Sequence, residues 1–200
     1  KAKQQWQLYN TLRNCKTTID TLWSRCVETL VENYFIDFES NMTQRGIIAS
    51  HMCDGMPMVR AHILDCINCN IDIEILAPWL SIFAGGQSFK VRNLNIPTEL
   101  NDVIKQSQEC AEYYYGEVLD SSVAYLMYDW MTYKDISRIL QCTSISALGS
   151  FIKVVLRVVS FIEETKNILL GLEKYDEYNK LENYEERLFS GMVGNESIYV

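Results

Sequence analysis

The stretch 146–172 is apolar on nearly every side of a helix, and its one interruption is a polar line made of Lys153, Arg157, Ser160, Glu164 and Asn167. A surface helix of a globular protein shows the opposite balance, an apolar stripe along a polar rod. This pattern predicts a helix enclosed in a helical bundle, with its polar line turned to an internal surface such as a channel.

The rest of the chain agrees with that environment. With 200 residues, 48% of them hydrophobic, it can bury a sizeable core. Trp6, Tyr9, Leu12, Cys15, Ile19, Leu22, Cys26 and Leu30 recur at three- and four-residue steps, which predicts one or two amphipathic helices over 3–35. A polar break follows at 37–41, and 43–50 is short and ambiguous. Asp54-Gly55-Met56-Pro57 reads as a turn that delivers Pro57 to the start of a helix over 58–69, with Val59, Ile63 and Ile67 on one side. Residues 72–83 can form another if Pro78 lies near its first turn or kinks it. The least periodic stretch, 85–97, holds Lys90 and Arg92 and reads as an exposed loop. Pro97-Thr98-Glu99 opens a long helix, 121–130 and 135–140 follow, and 141–144 is a tight turn into the apolar helix. Residues 175–186 are charged and read as mostly solvated. No strand of useful length and no repeat emerges, so the fold class is all-α: a helical bundle with a long central ratchet-type helix. Residues 1–41 read as an N-terminal amphipathic segment packing on a bundle formed by 42–200, one compact domain overall.

Charge and cysteine usage narrow the function. The net charge is −8, which disfavours a freestanding binder of phosphate backbones and leaves room only for local nucleic-acid contacts. No charge-free apolar run reaches the roughly 18 residues that span a bilayer, and Lys-Ala-Lys-Gln-Gln-Trp6 is no signal peptide, so an intracellular setting is expected. Seven cysteines fit reduced thiols better than a disulfide scaffold. Asn41-Met-Thr43 and Asn195-Glu-Ser197 match the glycosylation acceptor pattern by chance in that setting. Phosphate loops, G-x-G-x-x-G and G-x-S-x-G are absent, and with Lys1 at the start the chain reads as part of something longer.

His62, Cys66 and Cys69 share a helical face, with His51 and Cys53 upstream, which raises metal or redox chemistry. Two histidines and a single C-x-x-C make buried structural thiols the better reading. Neither histidine stands in a nucleophile motif. Glu163-Glu164 and Glu185-Glu186 are adjacent, point apart on a helix and read as solvated faces. Tyr113-Tyr114-Tyr115 could stack bases, but on one helix core packing is the better reading. The outline of 133–159 is that of a helix-turn-helix, yet Phe151, Val154, Val155, Val158, Phe161 and Ile162 belong in a core, not a DNA groove. The polar line remains the candidate site. From Lys153 to Glu164 it covers about 16 Å, a few nucleotides of single strand, and contact with loops of the same bundle is its equal alternative.

Several motifs occur together and in order: Tyr128-Asp-Trp130, Tyr133-x-x-Ile136, Gly149-Ser-Phe-Ile-Lys153 through Arg157, and the end Glu-Ser197-Ile-Tyr199-Val200. They resemble the C-terminal domain, called DSHCT, of the exosome-associated DExH-type RNA helicases of the superkiller and TRAMP systems. Upstream, Thr43-Gln-Arg45-Gly46-Ile-Ile-Ala49 is similar to the family's lysine-glycine-arginine-valine-alanine stretch, 76–83 to its leucine-rich helix, and Gln108-Glu109-Cys110-Ala111 also has a counterpart. The resemblance spans about residues 42–200. It departs from the family at Gln44, which replaces a lysine, and in a shorter connection between Trp130 and Tyr133.

The resemblance implies a specific role. In the family, the long helix is a ratchet helix across the exit path of single-stranded RNA threaded by two RecA-like domains. Arg157 falls on the family's RNA-contacting arginine, whereas Ser160 stands where the family has a contacting glutamate. Lys153 and Glu164 complete the expected RNA-binding set, Glu164 as a substitute one turn further on. The implied domain has no catalytic site and no cofactor of its own; ATP and Mg belong to the RecA motor of a full-length ATP-dependent RNA helicase. Its expected partners are single-stranded RNA, those RecA-like domains, and exosome or adaptor proteins, with no membrane. The expected location is nucleus or cytoplasm, or a virion, and the chain's end is expected to be the helicase's natural C-terminus. A protein-interaction module without RNA contact, or the equivalent domain of a DNA helicase, are the alternatives.

Overall fold

The computed structural model describes residues 2–85, 89, 96–142 and 145–189. Lys90 and Arg92, residues 143–144 of the expected turn 141–144, Asn195-Glu-Ser197 and the terminal Ile198-Tyr199-Val200 lie outside the described residues, while 141–142 are helical instead. Among those described, the secondary structure is helical apart from a single isolated antiparallel bridge, Ile36 to Met42, and the all-α expectation holds. The chain divides into two units, Lys1–Ile47 and Ile48–Val200.

The first unit is dominated by α1 (Ala2–Glu32), one uninterrupted helix of 31 residues. Tyr34 ends it in the left-handed conformation (φ 58°). The Phe35 N–H reaches back to the Leu30 carbonyl at 2.8 Å and the Tyr34 N–H to Val31 at 3.0 Å, the pairing of a Schellman stop. The polar break is a folded loop: Asp37 Oδ1 accepts from the N–H groups of Glu39 (2.8 Å) and Asn41 (2.9 Å). Those bonds, Asn41's foremost, hold the Asp37 carboxyl below its ordinary pKa. Thr43 Oγ1 accepts from the Gly46 N–H at 3.2 Å and so caps α2 (Gln44–Ser50), the stretch that was ambiguous in sequence. A Cβ on Gly46 would sit 2.0 Å from the Phe35 carbonyl oxygen, so only glycine fits there. These ties hold 42–47 to the preceding loop, and the unit boundary accordingly falls at 47/48 instead of the expected 41/42.

The second unit contains α3 (Pro57–Cys66), α4 (Ile73–Ser81), α5 (Thr98–Tyr115), α6 (Ser122–Tyr133), α7 (Ile136–Cys142), α8 (Ile145–Gly171), α9 (Tyr175–Lys180) and α10 (Tyr184–Phe189). Its most enclosed helix is α4, which packs against α5, α6 and α8 and is buried at Ile73, Ile75, Leu76, Trp79 and Leu80. Pro78 sits inside this helix, not in its first turn, so the Glu74 carbonyl loses its helical donor; Pro78's own carbonyl accepts from Ser81 Oγ at 2.6 Å. Short α4 thus takes the central place expected of the long helix, and α8 packs on it from one side. α3 lies on α5, while α7 touches α6 and α8.

Buried polar pairs lock the core. Trp79 Nε1 donates to Ser107 Oγ at 2.7 Å, and Trp130 Nε1 donates to the Leu188 carbonyl at 2.8 Å. Asp129, 4% exposed, receives both arms of Arg138, Nε at 3.0 Å and Nη2 at 2.5 Å. Asp129, Trp130 and Tyr133 of the family-like pattern therefore have structural contacts: the Arg138 guanidinium also lies 3.9 Å from the Tyr133 ring centre. The charged stretch 175–186 is mostly solvated, as expected, with Leu181 and Tyr184 as its buried anchors. Among the described residues, no helix is long and apolar enough to cross a membrane.

Candidate nucleic-acid interface

Helix α8 has 27 residues, about 40 Å of rod. Phe151, Val154, Val155, Val158, Phe161 and Ile162 are all buried, as their spacing predicted. The polar line does not lie in an enclosed channel of this unit. Lys153, Arg157, Ser160 and Asn167 are exposed, and Leu156, 52% exposed, shares their side.

Glu164 behaves differently from the rest of that line. Its side chain is only 18% exposed and turns toward the segment before α3, where Oε1 accepts from the Cys53 N–H at 2.9 Å and Oε2 meets Arg60 Nη1 at 2.8 Å. Arg60 is fully buried, its guanidinium 4.2 Å from the Phe161 ring centre, and Nη1 also donates to the Asp54 carbonyl at 3.2 Å. Nε and Nη2 are buried without a hydrogen-bond partner among the described residues. Burial pulls the Arg60 pKa down and the Glu164 carboxylate beside it pulls it back.

The local chain path explains how this anchor forms. Gly55 has φ +67°, and a Cβ there would meet Phe161 Cζ at 2.6 Å. Glycine is required twice over, by conformation and by contact. Met56 follows at φ 57° and Pro57 starts α3 at N1, so the turn brings Asp54 and Arg60 onto the same stretch of α8. Asp54 then forms an ion pair with Arg157, both side chains about half exposed. The Arg157 guanidinium stands 5.4 Å from the Phe161 ring centre, so Phe161 carries one arginine on each side of its role: buried Arg60 and exposed Arg157.

Of the four residues expected to bind RNA, Lys153, Arg157 and Ser160 share an open side of α8, and Ser160 Oγ makes a long 3.4 Å bond to its own helix at the Leu156 carbonyl. Glu164 is committed to Arg60. Arg60 was not singled out in sequence, and Asp54 and Phe161 were read only as part of a turn and of the core. A signal existed for Arg60: one charge within Met58-Val59-Arg60-Ala61-His62-Ile63-Leu64 demands an acidic partner once that helix is buried.

Cys69 is buried and its thiol is pushed up to about 11, chiefly by burial, whereas Cys66 is exposed, so the expected pair of buried thiols is one. The helix ends at Cys66, and Asn68 and Cys69 have positive φ, which breaks the common helical face. No group of three or more His, Cys, Asp or Glu among the described residues is placed to hold a metal. The tyrosine run is not core either: Tyr113 and Tyr115 are exposed and Tyr114 is half-buried, its Oη 2.6 Å from His62 Nδ1. Glu163 is no plain solvated group. The Tyr184 hydroxyl donates to it at 2.6 Å, Lys166 lies at 3.3 Å, and the Tyr184 bond foremost keeps its carboxyl below the usual range.

Neither models of protein families nor characterised proteins match this chain.

Proposed function

We propose that the chain is the C-terminal, DSHCT-type domain of an ATP-dependent RNA helicase, contacting single-stranded RNA as it leaves a RecA motor. The observation that carries this reading is the open line Lys153, Arg157 and Ser160 along a 27-residue helix whose opposite side is core. Two cations four residues apart lie on one helical side and can meet successive phosphates, and an exposed hydroxyl adds a donor. Glu164 is given a different role from the one its position suggested. Through Arg60 it fixes the Cys53–Asp54 turn against α8 and holds the line rigid from beneath, while the strand meets the three residues above it.

In this reading ATP hydrolysis and Mg belong to RecA-like domains of the same helicase, and exosome or adaptor proteins are further partners. The domain itself holds and guides the strand. Leu156, exposed in the middle of the line, and the net charge of −8 favour a second reading, a protein-interaction module without RNA contact.

Fluorescence anisotropy of labelled oligouridine with this chain separates the two. Saturable binding that weakens in Lys153→Ala and Arg157→Ala, each lowering the salt slope by about 1, supports strand contact. Binding that survives the double substitution unchanged, or no binding at low salt, favours the interaction module. An oligothymidine competitor of equal strength would shift the reading to a DNA helicase.

A further inference from the structure

Along α1, Leu8, Leu12, Cys15, Ile19, Leu22 and Cys26 are separated by alternating steps of four and three, which is the a/d spacing of a heptad carried through most of the helix. All six are exposed, the four aliphatic ones at 54–64%, and Tyr9 and Trp23 extend the same bare face at the adjoining e positions. The rest of the Lys1–Ile47 unit is a short loop and the start of α2, and neither covers this face.

From this we infer that α1 is a dimerisation helix: two copies of the chain pair through a parallel, two-stranded coiled coil over residues 8–26.

Three features select a second copy as the occupant. The four aliphatic and two aromatic side chains leave on the order of 500 Å² of apolar surface per helix, hence about 1,000 Å² over the pair, the lower limit for a specific interface. At the a positions Ile19 is flanked by Leu12 and Cys26, and Leu8 and Leu22 stand at d on either side of Cys15; Ile at a with Leu at d is the combination that favours two parallel strands. The flanking positions are compatible with self-pairing: g holds Gln4, Thr11, Thr18 and Arg25, e holds Tyr9, Lys16, Trp23 and Leu30, and no e–g′ contact in the parallel register joins like charges. The interface is small and contains two cysteines in place of larger side chains, so the dimer is weak and its mass depends on concentration.

Sedimentation equilibrium of the 200-residue chain under reducing conditions tests this. The expected result is a monomer–dimer equilibrium that Ile19→Asp with Leu22→Asp converts to monomer. Thr21→Asp, which adds a charge on the far side of the helix, should leave the dimer intact. A monomer at every concentration overturns the inference, whoever then covers the face, and so does a dimer that survives the double substitution. Orientation is read by mild oxidation with copper–phenanthroline, which takes two electrons and two protons from a facing thiol pair. In a parallel pair over residues 8–26 Cys15 faces Cys15′, so Cys26→Ser keeps the cross-link; in an antiparallel pair over the same residues Cys15 faces Ile19′ and Cys26 faces Leu8′, so a helix that yields no cross-link through Cys15 overturns the parallel register.

Discussion

The two long helices, α1 and α8, have similar lengths and similar amphipathic periodicity, yet they meet opposite fates. α8 sinks its apolar residues into a core, with Val155, Val158 and Ile162 fully buried, while α1 leaves Leu8, Leu12 and Ile19 more than half exposed within its own chain. Periodicity fixes that a segment is helical and which of its sides is apolar. It does not fix what covers that side, because cover depends on residues distant in sequence. The difference also shows in polar chemistry: α8 holds a buried arginine through Glu164, whereas on α1 the hydroxyls of Thr11, Thr17, Thr21 and Thr29 donate to its own backbone.

The largest effect separating the two helices should come from the anchor. Glu164→Ala leaves the fully buried Arg60 charge without its carboxylate and should destabilise the Ile48–Val200 unit by about 3–5 kcal/mol in urea unfolding. Adding Arg60→Met should return much of that loss, because removing both charges ends the desolvation cost that removing one exposes. A double variant no more stable than Glu164→Ala alone would mean the pair is not what holds the 53–55 turn.

Core truncation gives the next contrast. Ile162→Ala should cost about 2–4 kcal/mol, as a buried aliphatic side chain does, while Leu12→Ala on α1 should change the melting of the Ile48–Val200 unit by less than about 0.5 kcal/mol. Equal losses at both positions would erase the distinction between a covered and a bare helix.

A smaller effect is confined to pH. Lys134 is pulled down to about 8 by burial and then by neighbouring Arg187, with Glu74 pulling the other way. Its Nζ lies against the Arg187 carbonyl. A lysine whose folded pKa is depressed takes up its proton first in the unfolded chain. Stability therefore rises as pH climbs from about 8 toward the ordinary lysine pKa of about 10.4, and it is lowest below 8. Urea midpoints at pH 8 and pH 10 should draw together in Lys134→Met; an unchanged difference would place the effect elsewhere.

Much of the second unit was legible because its apolar spacing is strong: α5 begins at Thr98, and the six α8 residues assigned to the core are in it. Legibility failed where the deciding partner is remote or the backbone is unusual. Nothing near Glu164 in sequence announces Arg60, which lies on another helix, and nothing in Cys66-x-x-Cys69 announces the left-handed turn at Asn68 that separates the two thiols. Gly46 and Gly55 are the reverse case. The first stood within a motif and the second within a turn, and the structure supplies the physical cause of each: a carbonyl at 2.0 Å and a phenylalanine ring at 2.6 Å. The line Lys153, Arg157, Ser160 was read correctly as one side of α8, but its burial was overestimated, since an apolar helix can still keep one edge in water when a short helix such as α4 occupies the middle of the bundle.

The smallest expected effect on stability is the most informative about function. Arg157 and Asp54 form an ion pair with side chains 46% and 51% exposed, and such surface pairs contribute about 0–1 kcal/mol because water screens them and both side chains lose rotamers. Arg157→Ala should therefore leave the urea midpoint nearly unchanged, in contrast to Glu164→Ala one helical face away. If Arg157 faces an RNA phosphate, Asp54 is the group that competes for it. Asp54→Asn should then strengthen oligouridine binding while Arg157→Ala weakens it, with neither moving stability. A large loss of stability in Arg157→Ala would assign the arginine to the same structural anchor as Arg60, and the contrast between the buried and the open side of α8 would no longer separate support from contact.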